Sequence, residues 1–219
     1  MARLIGIYGA SGFGLEVLPV LRASINSIND TICFVDDAVE ADDFIANVPI
    51  VSWNVFVNNE ATEKSVCIAI ADGSVRRALF DRCVAHAIPV TNCIAPNAWL
   101  GEGANFGDGA ILQPFVTLTS NAMIGRCFHA NIYSYIAHDC VIGDFVTFAP
   151  SVKCNGNVHI GDNVYVGTGA IIRQGTRQQP LTIGANAVIG MGAVVTRDVP
   201  PGTTVVGNPA RPLIRNRDA

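Results

Sequence analysis

From residue 94 the chain keeps a six-residue beat of apolar and small positions. The first place of each hexad holds Ile94, Leu100, Phe106, Leu112, Leu118, Ile124, Ala130, Ile136, Ile142, Phe148, Cys154, Ile160, Val166 and Ile172, without one polar residue. The second place is mostly Gly or Ala, and the fifth is small or β-branched in nearly every repeat. Fourteen hexads run in one frame to residue 177, residues 178–182 interrupt, and three more hexads occupy 183–200. A fixed hexapeptide period predicts a parallel β-helix, each hexad a short strand plus a turn and three hexads one triangular coil. The aliphatic first residue fills the prism, the small fifth one fits beside it, and stacked coils stabilise one another. The fourth place is rich in Gly and Asn (Asn97, Gly103, Gly109, Asn121, Asn157, Asn163, Gly169, Gly175), which predicts positive φ at a tight corner.

Before the array the pattern changes. An apolar run at 4–8 stops at Gly9-Ala10-Ser11-Gly12-Phe13-Gly14, and a helical pattern follows through Leu15, Val17, Leu18, Leu21 and Ile25. Further strands are expected at 31–35, 66–71 and 88–91, with a second helix over 75–86. Strands alternating with helices predict a parallel sheet covered by helices, here a truncated, Rossmann-like half of about four strands. The expected fold class is therefore an α/β Rossmann-like half domain over residues 1–92, followed by a parallel β-helix with a C-terminal tail over 93–219.

Composition narrows the function. Half of the residues are hydrophobic and 15% are charged, enough apolar material for a sizeable core. A net charge of −4 and a pI near 5.5 argue against nucleic-acid or anionic-membrane partners, which need a basic patch. No apolar run reaches the roughly 18 residues of a membrane span. Met1-Ala2-Arg3 leads straight into a strand with no cleavage site, so no secretory signal is expected. The seven cysteines are scattered without a Cys-x-x-Cys pair and read as reduced core residues of a cytoplasmic protein.

Three stretches carry candidate chemistry. Glycines between a first strand and a first helix let backbone N–H groups approach a phosphate at the helix N-terminus. Gly9, Ser11, Gly12, Phe13 and Gly14 form that loop, although Gly-x-x-Gly-x-Gly departs from the usual dinucleotide spacing and a plain tight turn is the alternative. Asp36 and Asp37 end the second strand, where a carboxylate can accept from a ribose or base, or simply be solvated; Asp72, closing the third strand, is placed on the same substrate side. His138-Asp139 occupies the third and fourth places of its hexad, at an outward corner. A histidine there is either a solvated side chain or a general base oriented by its neighbouring carboxylate. A zinc site would need converging histidines, but His129 and His159 hold sixth places, His138 a third, and His86 precedes the array, so no metal is expected.

These residues together resemble the hexapeptide-repeat acetyltransferases of nucleotide-linked amino sugars (the PglD/NeuD-like group, with the bacillosamine-pathway and perosamine N-acetyltransferases). The resemblance spans the glycine loop, the Asp-Asp strand end, the array, and the closing Val206-Gly207-Asn208-Pro209-Ala210-Arg211-Pro212, which is similar to the Gly-x-Pro-Ala tail of acyl-CoA-dependent members. It implies a left-handed β-helix, a homotrimer with active sites between subunits, and acetyl-CoA as cosubstrate. It also implies His138 as catalytic base with Asp139 beside it, and Asn131 near the reacting centre. Gly156 would meet the thioester carbonyl, Gly167, Thr168 and Met191 would line the pantetheine arm, and Arg211 would belong to the acetyl-CoA site. Phe13 and Thr147 stand where related members often carry histidines. The implied reaction is transfer of acetyl to an amine, C4 being the expected position, of a nucleotide-linked 4-amino-4,6-dideoxy sugar. O-acetylation of a sialic acid-type sugar is the alternative, and a non-catalytic sensor of nucleotide sugars is a third reading.

Overall fold

The computed structural model describes residues 3–25, 30–38 and 43–213. Its first part is a five-stranded sheet built from β1 (Arg3–Tyr8), β2 (Thr31–Val35), β3 (Asp43–Ile45), β4 (Val48–Val51) and β5 (Glu63–Ile68), in the order β3-β4-β2-β1-β5. β4, β2, β1 and β5 run parallel, and β3 joins as an antiparallel hairpin partner of β4. Three helices accompany the sheet: α1 (Gly12–Ser24), α2 (Trp53–Val57) and α3 (Gly73–Ala85).

Three details differ from the sequence pattern. The β3–β4 hairpin and α2 were not anticipated; the hairpin turns on Ala46 and Asn47, both at positive φ, without the glycine that usually signals such a turn. The third strand begins at Glu63 and stops at Ile68, earlier than the 66–71 expected. Residues 88–91 form no strand, only a bridge between Val66 and Val90 that leads the chain onto the array.

The array is a prism of three sheets with six, five and eight strands, parallel throughout except for the last strand of the eight-stranded sheet. Each face is a ladder of two- or three-residue strands, as in His129↔Thr147 and Leu118↔Ile136. First- and fifth-place side chains fill the interior, from Leu112 and Val116 to Ile189 and Ala193, in one contiguous core. The lower end is open, and Leu100 is 42% exposed there. The added residues bulge at 173–180, because Leu181–Ile183 already pairs with Val158–Ile160.

The eight-stranded face carries the α/β part. Cys93, Ile111 and Ala95 pack with α1 and the sheet, and the corner residues Cys127 and Phe145 join the core beneath α3. Arg76 of α3 is fully buried at this junction. Its guanidinium donates to the carbonyls of Ile70, Ala71, Cys127 and Phe145 and to Thr147 Oγ1, at 2.7–3.1 Å. Burial lowers its pKa to about 10, so it stays protonated at neutral pH.

Candidate active site

The glycine loop leaves the N-terminus of α1 open. Ser11 occupies the N-cap, but its hydroxyl makes no capping bond. Gly9 has φ of 113°, and a Cβ on Gly14 would lie 2.0 Å from the Gly9 carbonyl oxygen, so both glycines are required by the turn. A Cβ on Gly12 would meet nothing within 4 Å, which leaves the approach to the helix end clear. Free N–H groups at a 13-residue helix suit an anion. The contrast is α3, where Asp72 accepts from Ser74 N–H at 2.9 Å and Val75 N–H at 3.0 Å and closes the terminus.

The two strand-end acids take different roles. Asp36 accepts from Ala38 N–H at 2.9 Å and, at 3.4 Å, from Ala10 N–H of the loop. Asp37 accepts from the Tyr8 hydroxyl at 2.7 Å and from Arg82, whose guanidinium lies 4.9 Å from the Trp53 ring centroid. Burial opposes it, but the bonds from Tyr8 and Arg82 hold the Asp37 carboxyl below its usual pKa. Phe13 faces inward and packs 5.4 Å from the ring of His129.

His138 and Asp139 stand at the corner after Tyr135–Ile136. Asp139 has φ of 56°, which turns its carboxylate back over the preceding side chain. Its Oδ2 lies 2.8 Å from His138 Nδ1, and Asn121, the fourth-place residue one coil below, donates to Oδ1 at 3.2 Å. These two bonds lower the Asp139 pKa. A carboxylate only accepts, so the neutral imidazole carries its proton on Nδ1 and presents a bare Nε2. That nitrogen lies over Gly156, where a Cβ would be 2.6 Å away. The pair is half exposed, at 54% and 48% of their side chains. The sequence pattern missed Asn121 as a member of this group, although its place one coil before Asp139 is countable from the repeat.

The remaining candidates sit elsewhere. Asn131, Gly167, Thr168 and Met191 follow strands of the eight-stranded face, on the corner before the six-stranded one. His138, Asp139 and Gly156 occupy the next corner, between the six- and five-stranded faces. Arg211 is exposed in the final antiparallel strand. One prism therefore does not bring Asn131 to His138. Among the described residues no three His, Cys, Asp or Glu side chains gather as metal ligands.

Thr147 Oγ1 donates to Ala71 O at 3.0 Å and accepts from Arg76, sealing the junction. Beside it, His129 is 1% exposed and neither ring nitrogen has a hydrogen bond of normal geometry. Burial first, and the Arg76 cation second, push its pKa well down against a loose approach of the Ile68 carbonyl, so this imidazole is neutral.

A hexapeptide prism with a carboxylate-oriented histidine at an open corner defines the class of hexapeptide-repeat acyltransferases. Residues 4–83 match the PglD N-terminal domain family. The GDP-perosamine N-acetyltransferase of Escherichia coli O157:H7 is 45% identical over 217 residues, 98% of each chain. WeeI from Acinetobacter baumannii AYE superposes with a TM-score of 0.92 at 48% identity, covering 96% of this chain and 100% of that one. PerB from Caulobacter crescentus, solved with CoA and GDP-perosamine, gives 0.83 at 26% identity, over 95% and 96%. The chain belongs to the PglD-type family of nucleotide-amino-sugar N-acetyltransferases, with the left-handed β-helix of that family.

Proposed function

We propose that the protein transfers acetyl from acetyl-CoA to the C4 amine of a nucleotide-linked 4-amino-4,6-dideoxy sugar. The amine nitrogen attacks the thioester carbon, His138 Nε2 takes its proton, and the C–S bond breaks as the imidazolium returns that proton to sulfur, so that CoA leaves as the thiol. Asp139 keeps the imidazole in the required tautomer and stabilises its cation. The Gly156 N–H, which makes no bond within the described chain, donates to the oxyanion as charge develops. All seven cysteines are free and buried, which favours direct attack over an acyl-enzyme. The observation that carries this reading is the 2.8 Å His138–Asp139 contact with Nε2 bare above Gly156.

Residues 1–92 form the nucleotide-sugar domain, with the diphosphate at the open terminus formed by Gly9, Ser11, Gly12, Phe13 and Gly14 and the nucleoside towards Asp36 and Asp37. Asp72 acts there as a cap that shapes the junction. Residues 93–219 form the transferase domain, with Asn131, Gly167, Thr168, Met191 and Arg211 along the acetyl-CoA path. The active unit is a homotrimer in which one copy's His138 meets its neighbour's Asn131. The exposed stack of Phe115 on Tyr133, 5.1 Å apart with rings 2° from parallel, and the 57% exposed Trp99 supply apolar surface for that contact. The working compartment is the cytoplasm, where acetyl-CoA and nucleotide sugars coexist; no helix of the described chain is long and apolar enough to cross a membrane.

Turnover of acetyl-CoA, read as free thiol against UDP-, dTDP- and GDP-linked 4-amino sugars, tests the reading. One acceptor should gain the mass of a single acetyl group. Silence across that panel with turnover on a hydroxylated sugar would replace it by O-acetylation.

A further inference from the structure

Side chains at the sixth place of each hexad stand outward, and on the eight-stranded face the α/β part buries four in a column: Cys93, Ile111, His129 and Thr147. Cys93 and Ile111 are packing residues in the core shared with α1 and the sheet. Thr147 has its hydroxyl bonded to Ala71 O and to Arg76. His129 is different: neither of its nitrogens has a normal hydrogen bond, and only a loose approach of the Ile68 carbonyl relieves them. An unpaired imidazole in a dry joint is destabilising where a leucine of similar size would not be. What the ring has and an aliphatic side chain lacks is the capacity to take up a proton near neutral pH.

The ring also touches the glycine loop. Phe13 packs on it with centroids 5.4 Å apart and planes at 44°. Phe13 is the second residue of α1, and it is half-buried whereas Ser11 and Gly12 are exposed. Ala10 and Ser11 have short side chains and Gly9, Gly12 and Gly14 have none, so Phe13 is the one large side chain with which the loop grips the β-helix. Its position therefore sets the direction of the free N–H groups in the first turn of α1.

The surroundings give an imidazolium nothing to pair with. From α3 comes the Arg76 cation, and the nearby Asp72 carboxylate is committed to the α3 terminus. The glycine loop and the ladder neighbours Ile111 and Thr147 carry no titratable group. The remaining groups of the junction are thiols, on Cys93, Cys67 and Cys127. Contact with Cys93 and burial raise the Cys67 pKa, and burial pushes Cys127 to about 12, so both are neutral. Among the described residues no carboxylate acts on the ring. Protonated His129 is stable only where the joint opens to water, and there the ring titrates near its ordinary 6.5. The closed joint is thus fully favoured above that pH and loses up to about tenfold against the open one for each unit below it.

We propose that His129 is a positioning residue for the acceptor: through Phe13 it holds the glycine loop against the β-helix, and uptake of a proton releases the loop from its diphosphate-binding pose. The inference rests on the nucleotide-sugar role proposed above for that loop. Acid then weakens acceptor binding by a route separate from protonation of the sugar amine or of His138.

The test is the affinity of the whole protein for GDP-, UDP- and dTDP-linked neutral hexoses, which keep the diphosphate but have no amine and do not titrate between pH 7.5 and 5.5. For the nucleotide that binds, the wild-type Kd should change less than about twofold from pH 7.5 to 6.5 and rise about three- to tenfold from 6.5 to 5.5. His129→Leu and His129→Gln do not titrate and should hold Kd within about twofold over the whole range; two variants are used in case one fails to fold. Hydrogen exchange of the peptide 8–16, corrected for its intrinsic rate, should quicken in acid in wild type, with the peptide 188–195 at the top of the prism unchanged. No acid effect on wild-type Kd, or an equal one in wild type and variants, would overturn the inference. So would a loop that opens in acid with affinity unchanged, or variants that bind more weakly by the same factor at every pH, which would make His129 a packing residue. No binding of any of the three by wild type at pH 7.5 would remove the loop's nucleotide role together with this inference.

Discussion

His129 and His138 lie nine residues apart, one on the eight-stranded face of the prism and the other at the corner opposite that face, yet they have opposite fates. His129 holds a sixth place, where the side chain stands off a flat face, and the α/β part covers that face. Its ring is buried, without a hydrogen bond of normal geometry, and neutral. His138 holds a third place at a corner that the chain leaves open, with a carboxylate on one nitrogen and space on the other. The same residue type is thus a packing element or a candidate base according to its place in the repeat and which side is covered. Here the eight-stranded face and the corner of Cys127 and Phe145 make the junction, whereas the corner of His138 remains reachable.

The sharpest way to break this comparison is to remove the corner imidazole. His138→Ala should cost about 10²–10⁴ in kcat with an unchanged melting temperature, and a loss under about fivefold in a folded trimer would dismiss it as the base. The junction should answer in the opposite currency. Arg76→Ala strands several buried carbonyls and leaves a cavity, so we expect about 3 kcal/mol of destabilisation, read as a denaturation midpoint. Gly156→Ala links the two sides of the argument, because its new Cβ must displace His138; about 10–100-fold in kcat should disappear with little change in stability.

Acid separates the histidines next. In the unfolded chain an imidazole protonates near 6.5, whereas burial holds folded His129 neutral well below that. The unfolded state therefore binds more protons below pH 6.5, and stability should fall there with a slope of at most about 1.4 kcal/mol per pH unit. His129→Leu should flatten urea midpoints between pH 6.5 and 5.5; an unchanged slope would mean that another group controls it. The smallest effect is expected at Ser151, a fourth-place residue at φ of 61°. Ser151→Asn should raise stability by less than about 1 kcal/mol, visible as a small upward shift in melting.

Much of the array was legible because its constraint is translational: one place in the hexad predicts the same place throughout. The corner rule was only half legible. Every fourth place from Gly103 to Gly169 has positive φ, including Phe115, Cys127, Tyr133 and Phe145, while Asn97 and Gly175 do not. Position dictates the backbone there, and Gly or Asn merely adopts it at lower cost. The acids at strand ends were harder. Asp36, Asp37 and Asp72 look alike in sequence, but one ties a loop, one is held by Tyr8 and Arg82, and one caps α3. Arg76 gave no signal at all, because nothing along a helix marks which arginine will meet carbonyls 51 and 69 residues away. The glycine loop marked the N-terminus of α1 in sequence, whereas Ser11, a capping residue type, gave no sign that its hydroxyl leaves that terminus uncapped.

The bulge at 173–180 has a wider consequence. Below it, pairs such as Lys153↔Ile171 join coils in step, and above it Tyr165↔Val188 and Ile171↔Val194 do so equally well, with the same residue types inward. Extra chain is absorbed at a corner, whereas one residue lost from a two-residue strand would turn the next side chains inside out. Evolution can therefore edit this protein at the corners that the α/β part leaves uncovered, and hardly at all on the faces or along the buried corner of Cys127 and Phe145. The corner that already carries an insertion is the one that holds His138, so loops of new length can remould the acceptor's surroundings while the core stays as it is.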